Sequence, residues 1–125
     1  MFSPEPFSVR SERAGRMYRL TPVGELDIAT APALRTEFEV AFDDGDVEMI
    51  VLDLTELEFI DSSGIRLVLE MNAVCEHADR LRVINGSPAV ERLFDIAGVR
   101  ILLPIISSPD DPLAPLASDP PGADP

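Results

Sequence analysis

Val47-Glu48-Met49-Ile50-Val51-Leu52-Asp53-Leu54 is the stretch on which the fold turns. It is nearly continuous apolar sequence, which suits a central strand covered on both faces. Upstream, Asp43-Asp44-Gly45-Asp46 closes a helix that Thr30 can cap, with Pro32 in its first turn. Leu34, Phe38, Ala41 and Phe42 share one face of that helix. Further back, Phe7–Arg13 and Arg16–Pro22 read as two strands of a hairpin around Ala14-Gly15. Downstream comes a helix from Ser62 to about Ala78, then the strand Leu81–Ile84. Ser87 caps another helix with Pro88 at its first position and Gly98 just past its end. Ile101–Leu103 is expected as the last strand. Strands alternating with helices after a hairpin predict an α/β sandwich. Its mixed central sheet should have about 4–5 strands, with 3–4 helices packed on it.

The chain has 125 residues, enough for one domain. Three parts are expected: a loose N-terminus at 1–6, a folded unit at 7–106 and a tail at 107–125. The tail holds half of the prolines, four acids and no base. Such composition cannot bury enough apolar surface to offset its ordering entropy, so disorder is expected there. The formal charge of −13 argues against direct contact with nucleic acid or anionic membranes, which attract positive patches. No stretch approaches the ~20 apolar residues that span a bilayer, so membrane insertion is not expected. Cys75 is the only cysteine, and MFSPEPFSVRSE lacks the basic-then-apolar pattern of a signal peptide. The expected location is the cytoplasm.

Glu58-Phe59-Ile60-Asp61-Ser62-Ser63-Gly64-Ile65 sits where an extended segment becomes a helix. Asp61 or Ser62 can cap that helix, whose dipole favours negative charge at this end. The geometry should expose a hydroxyl beside free backbone N–H groups, where a phosphate would be accommodated. Gly64 should leave the first turn uncrowded for an approaching protein. Local chemistry alone favours a mere cap, because Ser and Asp are common at helix starts. At about 100° per residue, Leu67, Val68, Met71, Val74, Cys75 and Ala78 share one arc that must face the sheet. Arg66, Glu70 and His77 form a solvated strip. Ile65, Leu69 and Ala73 fall on a third strip, which either a neighbouring helix covers or a partner protein meets.

Nothing here reads as an enzyme. The only histidine, His77, lies on the solvated strip, and Cys75 lies in the apolar arc. Asp61 beside Ser62 is no nucleophile–base pair, since a carboxylate alone is a poor base for a hydroxyl. One cysteine and one histidine cannot build a zinc site, and no glycine-rich phosphate loop follows a strand. No cofactor is expected.

The chain resembles STAS domains of the anti-sigma factor antagonist type. The similarity runs through Gly24-Glu25-Leu26-Asp27, Ala29-Thr30-Ala31-Pro32, Ile50–Leu54 and Phe59–Gly64. Leu81-Arg82-Val83 and Ser87–Gly98 continue it, in the same order and spacing over nearly all of 7–106. The resemblance makes Ser62 the phosphoacceptor, ahead of Ser63. It places Asp27 beside that site and Ile65 against a partner. The expected partner surface is Asp27, Asp61, Ser62, Ser63, Gly64, Ile65, Arg66 and Leu69.

By the same resemblance, the unphosphorylated protein binds an anti-sigma factor that is also a serine kinase, and so frees a sigma factor. Phosphorylation at Ser62, with ATP and magnesium held by the kinase, ends that binding. A metal-dependent serine phosphatase restores it. The alternatives within the family are a signalling scaffold that is never phosphorylated and an accessory subunit of a lipid transporter. One departure stands out. Family members usually end in a helix after the last strand, and Ser108–Pro115 is too proline-rich for a good one.

Overall fold

In a computed structural model of the chain, residues 6–106 are described, so the readings for residues 1–5 and 107–125 lie outside the described residues. Strands β1 (Ser8–Ala14) and β2 (Met17–Leu26) form the expected hairpin, with Gly15 at φ +62° in its turn. There follow α1 (Ala31–Asp43), β3 (Met49–Asp53), β4 (Leu57–Ile60), α2 (Ser62–Glu76), β5 (Leu81–Ile84) and α3 (Pro88–Ala97). A single 3₁₀ turn at Arg100–Leu102 leads to β6 (Ile105–Ile106). The sheet order is β1-β2-β3-β5-β6, with β4 also paired to β2. Among the described strands only the β1–β2 pairing is antiparallel. The mixed sheet thus has six strands, and three helices are described with it.

β2 is longer than its sequence suggested, because it serves two parallel neighbours in turn. Met17 to Leu20 pair with β3, and Gly24 to Leu26 pair with β4. Pro22, which was expected to end the strand, falls in the gap between those two ladders. There its missing N–H costs no parallel hydrogen bond. Gly24 adopts φ +106° at the point where the register shifts, a conformation that side chains resist. Leu26 and Ile60 end in register, and the loops after them leave the sheet together.

All five residues of β3 are buried. Ile50 and Leu52 belong to one large core with Leu34, Phe38 and Ala41 of α1, Leu67, Val68, Met71 and Cys75 of α2, and Val90 and Phe94 of α3. Met49 and Val51 point to the opposite face, with Ile84 and Ile106. Asp53 is buried too. Burial pushes its pKa up, but hydrogen bonds from the Thr55 hydroxyl and N–H and from Arg19 outweigh this and hold it below the usual carboxylate value. Burial pushes the Cys75 thiol up to about 11, so it stays an inert core residue at neutral pH.

Two local readings need correction. Ile101–Leu103 is not a strand: Arg100–Leu102 is a 3₁₀ turn, and Ile101 is exposed. Pro104 supplies no N–H, so pairing with β5 runs through its carbonyl, which accepts from Val83 N–H at 3.0 Å, and starts properly only at Ile105. On α2, Val74 and Ala78 do not face the core. Val74 borders an open groove between α1 and α2 of about 470 Å³, and Ala78 lies beyond the end of the helix at Glu76.

Candidate functional site

Asp61 N–H donates to the Leu26 carbonyl at 3.1 Å, which carries the β2–β4 pairing one step past the strands. Asp27 and Asp61 therefore begin adjacent loops, about one strand spacing of ~5 Å apart. Each aspartate builds its own turn. Asp61 Oδ1 accepts the N–H groups of Ser63 at 2.9 Å and Gly64 at 3.0 Å, and its carbonyl accepts from Ile65 N–H at 2.9 Å. Asp61 is thus the cap of α2.

Asp27 Oδ1 accepts N–H groups from Ala29 and Thr30, both at 3.0 Å, and the Thr30 hydroxyl at 3.1 Å. That hydroxyl also reaches the Glu25 carbonyl at 2.8 Å, and its oxygen accepts from Asp27 N–H at 2.8 Å. Thr30 was expected to cap α1 and makes no side-chain cap bond. Its oxygen is committed to the loop, and Pro32 lacks one of the N–H groups that a cap would take. The loop carrying Asp27 is therefore cross-braced by hydrogen bonds at the end of β2.

Ser62 is the first residue of α2 and is exposed; Ser63 is half-buried. The expectation of free N–H groups beside the hydroxyl is corrected, because Asp61 already holds those of Ser63 and Gly64. A dianion on Ser62 would gain from the helix dipole and face the Asp61 carboxylate at the same time. Gly64 is corrected as well. It does not open a surface but is buried: a Cβ there would lie 2.6 Å from Ile60 Cγ1 and 2.9 Å from the Leu26 carbonyl oxygen. Its lack of a side chain lets the first turn of α2 sit tight on the ends of β2 and β4.

Arg66 is exposed on the next turn. Ile65 and Leu69 are half-buried and packed against the edge of the core, while Ala73 is exposed. The third strip of α2 is thus shared between core and solvent. Asn72 Nδ2 donates to the Leu102 carbonyl at 3.1 Å and ties the strip to the 3₁₀ turn. Two apolar residues beside the site escaped the sequence reading. Ile28, one residue past Asp27, is 76% exposed, and Phe59 on β4 is 42% exposed. The available signal for Ile28 was a large apolar residue inside a four-residue turn, where no helical or strand period gives it a core to enter. No described helix is long and apolar enough to cross a membrane.

The STAS domain family matches residues 8–111. An anti-sigma F factor antagonist of Paenibacillus polymyxa is 34% identical over 83 residues, covering 66% of this chain and 71% of the relative. The fold superposes on an anti-sigma factor antagonist from Mycobacterium paratuberculosis with a TM-score of 0.81 at 23% identity, covering 94% of this chain and 99% of the other. It also superposes on the anti-sigma factor antagonist SpoIIAA in its unphosphorylated form, with a TM-score of 0.71 at 25% identity, covering 88% and 96%. The chain therefore belongs to the STAS domain family, among its anti-sigma factor antagonists.

Proposed function

We propose that this chain is a partner-switching regulator with no catalysis of its own, acting in the cytoplasm through the surface around Ser62. Unphosphorylated, it binds an anti-sigma factor and so frees a sigma factor. The anti-sigma factor is also a kinase: Ser62 Oγ bonds to the γ-phosphorus of ATP and gives up its proton, and ADP leaves. A metal-dependent serine phosphatase hydrolyses the ester and resets the switch. The partner surface comprises Asp27, Asp61, Ser62, Ser63, Ile65, Arg66 and Leu69, with Ile28 added to it. Gly64 serves from beneath, by letting the helix seat.

The observation that carries this reading is the division of labour at the start of α2. Asp61 makes the cap, so the exposed Ser62 hydroxyl is left for chemistry. Phosphate adds about −1.5 to −2 charge beside the Asp27 and Asp61 carboxylates. Within the domain this charge lies in solvent and the fold survives. Under a partner it must be desolvated, and the carboxylates repel it. A loss of ~2–4 kcal/mol weakens binding roughly 30- to 1000-fold.

The test is binding and phosphorylation with the cognate anti-sigma factor. Ser62→Ala should bind like the wild type and take up no phosphate by mass spectrometry. Ser62→Asp should bind at least roughly tenfold more weakly, which is ~1.4 kcal/mol. Equal binding by both variants, with phosphate still incorporated into Ser62→Ala, overturns the assignment.

A further inference from the structure

Among the described residues β1 pairs with β2 alone, so the outer side of its backbone has no strand beside it. The strand is seven residues long, runs in unbroken register with β2 and is exposed at every residue but Val9. Such an edge is usually blunted by shortness, a bulge, a proline or a lysine. Ser8-Val9-Arg10-Ser11-Glu12-Arg13-Ala14 has none of these. It carries arginine and glutamate instead, and their order matters.

The hairpin fixes which groups point outward. Gly15-Arg16 is a two-residue turn, and the Ala14–Met17 pair that closes it exchanges backbone hydrogen bonds. Counting back in twos, Ala14, Glu12, Arg10 and Ser8 spend their backbone groups on β2, whereas those of Arg13, Ser11 and Val9 face outward. The side chains alternate between the two faces of the sheet as well. Val9 packs against the core, Ser11 Oγ donates to Glu37 at 3.0 Å and Arg13 Nη1 donates to Asp44 at 2.6 Å, so these three lie on the helix side. Arg10 and Glu12 stand on the other side, where Arg10 also meets Glu56.

We infer that this edge pairs with the same edge of a second copy, antiparallel about a two-fold axis at Ser11. In that register Ser11 faces Ser11 of the second copy and Val9 faces Arg13, and these outward groups exchange about six backbone hydrogen bonds. Arg10 then lies opposite Glu12, and Glu12 opposite Arg10, as non-hydrogen-bonded pairs about 4.5 Å apart at Cα, where facing side chains come closest. Moving the axis to Arg10 or to Glu12 sets like charges face to face, which opposes pairing. The strand thus specifies one register against its own copy, and an unrelated strand has no reason to match this order of charges. Val40, 56% exposed, stands on the strip of α1 between Glu37 and Asp44 and flanks the seam with apolar surface. None of these residues belongs to the surface around Ser62, so each copy keeps its own.

The experiment is sedimentation equilibrium of the full chain in ~0.15 M salt, where repulsion between two copies of charge −13 is screened beyond about 8 Å. The wild type should dimerise with a dissociation constant below about 1 mM, in the weak range that a small seam supports. Arg10→Glu and Glu12→Arg each bring two like-charge pairs into the seam and should weaken the dimer at least roughly tenfold. Both positions are exposed, so the variants keep the fold, which circular dichroism checks. Mixed together, the two single variants should associate with each other, and the double variant Arg10→Glu with Glu12→Arg should dimerise like the wild type. A wild type that stays monomeric at about 1 mM overturns the inference. So do single variants that dimerise as well as the wild type, or a loss of association that neither the mixture nor the double variant restores.

Discussion

Two helices of this domain begin with serine chemistry, and they use it in opposite ways. At α3, Ser87 is the cap itself: its Oγ accepts Val90 N–H at 3.3 Å, and Pro88 follows in the first turn. At α2 the cap is Asp61, and Ser62 stands one residue inside the helix. A carboxylate has more lone pairs than a hydroxyl, and Asp61 uses one oxygen to hold two N–H groups. The α3 serine is therefore committed to the fold, whereas the α2 serine is spared. What makes Ser62 a candidate acceptor is not the residue type or the helix dipole, which both sites share, but the aspartate that relieves it of structural duty.

The comparison can be broken from the packing side first. The first turn of α2 rests on the strand ends only because Gly64 has no Cβ. Gly64→Val forces a methyl pair into Ile60, Leu26 and a backbone carbonyl that already accepts the Asp61 N–H. The expected cost is about 3 kcal/mol, read as a shift of the urea midpoint at unchanged slope. A loss near zero would mean that the seat of α2 can relax and that the position of Ser62 is not fixed.

Asp61 comes next. Asp61→Ala frees two N–H groups and should cost ~1–2 kcal/mol, whereas Asp61→Asn keeps the cap and should cost only a few tenths. The pair of variants separates capping from charge. If Asn costs as much as Ala, the carboxylate's charge, and not its hydrogen bonds, holds the helix start.

The contrast between the two serines also shows how far the sequence can be read. Both ends of α3 were legible, because Ser87 and Pro88 at its start and Gly98 past its end are local signals that need no tertiary partner. At α2 the spacing marked the helix start but left Asp61 and Ser62 as equal candidates for the cap, since either oxygen can reach the same N–H groups. Gly64 was misread for a related reason: what touches a missing side chain depends on strands β2 and β4 meeting, and no local pattern records that. Pro22 misled because it was judged as a strand residue in isolation, while the outcome depended on which neighbouring strand asked for its N–H. Ile28 and Phe59 went unnoticed because exposure of an apolar residue is decided by the rest of the fold.

The smallest expected effect is the most discriminating one. Ser87→Ala removes a cap and should cost about 1 kcal/mol. Ser62→Ala removes an exposed hydroxyl that takes no part in the Asp61 cap, and should change stability by less than ~0.5 kcal/mol. Alanine is also the better helix former by a few tenths, so a slight gain is within expectation. Both variants can be measured by thermal unfolding in one buffer, where ~1 kcal/mol shifts the midpoint by several degrees in a domain of this size. Equal losses at the two positions would mean that Ser62 is structural after all, and that its exposure reflects a cap partly shared with Asp61. A loss at Ser87 with none at Ser62 leaves the α2 hydroxyl without a structural task, which is the physical condition a phosphoacceptor on a stable domain has to meet.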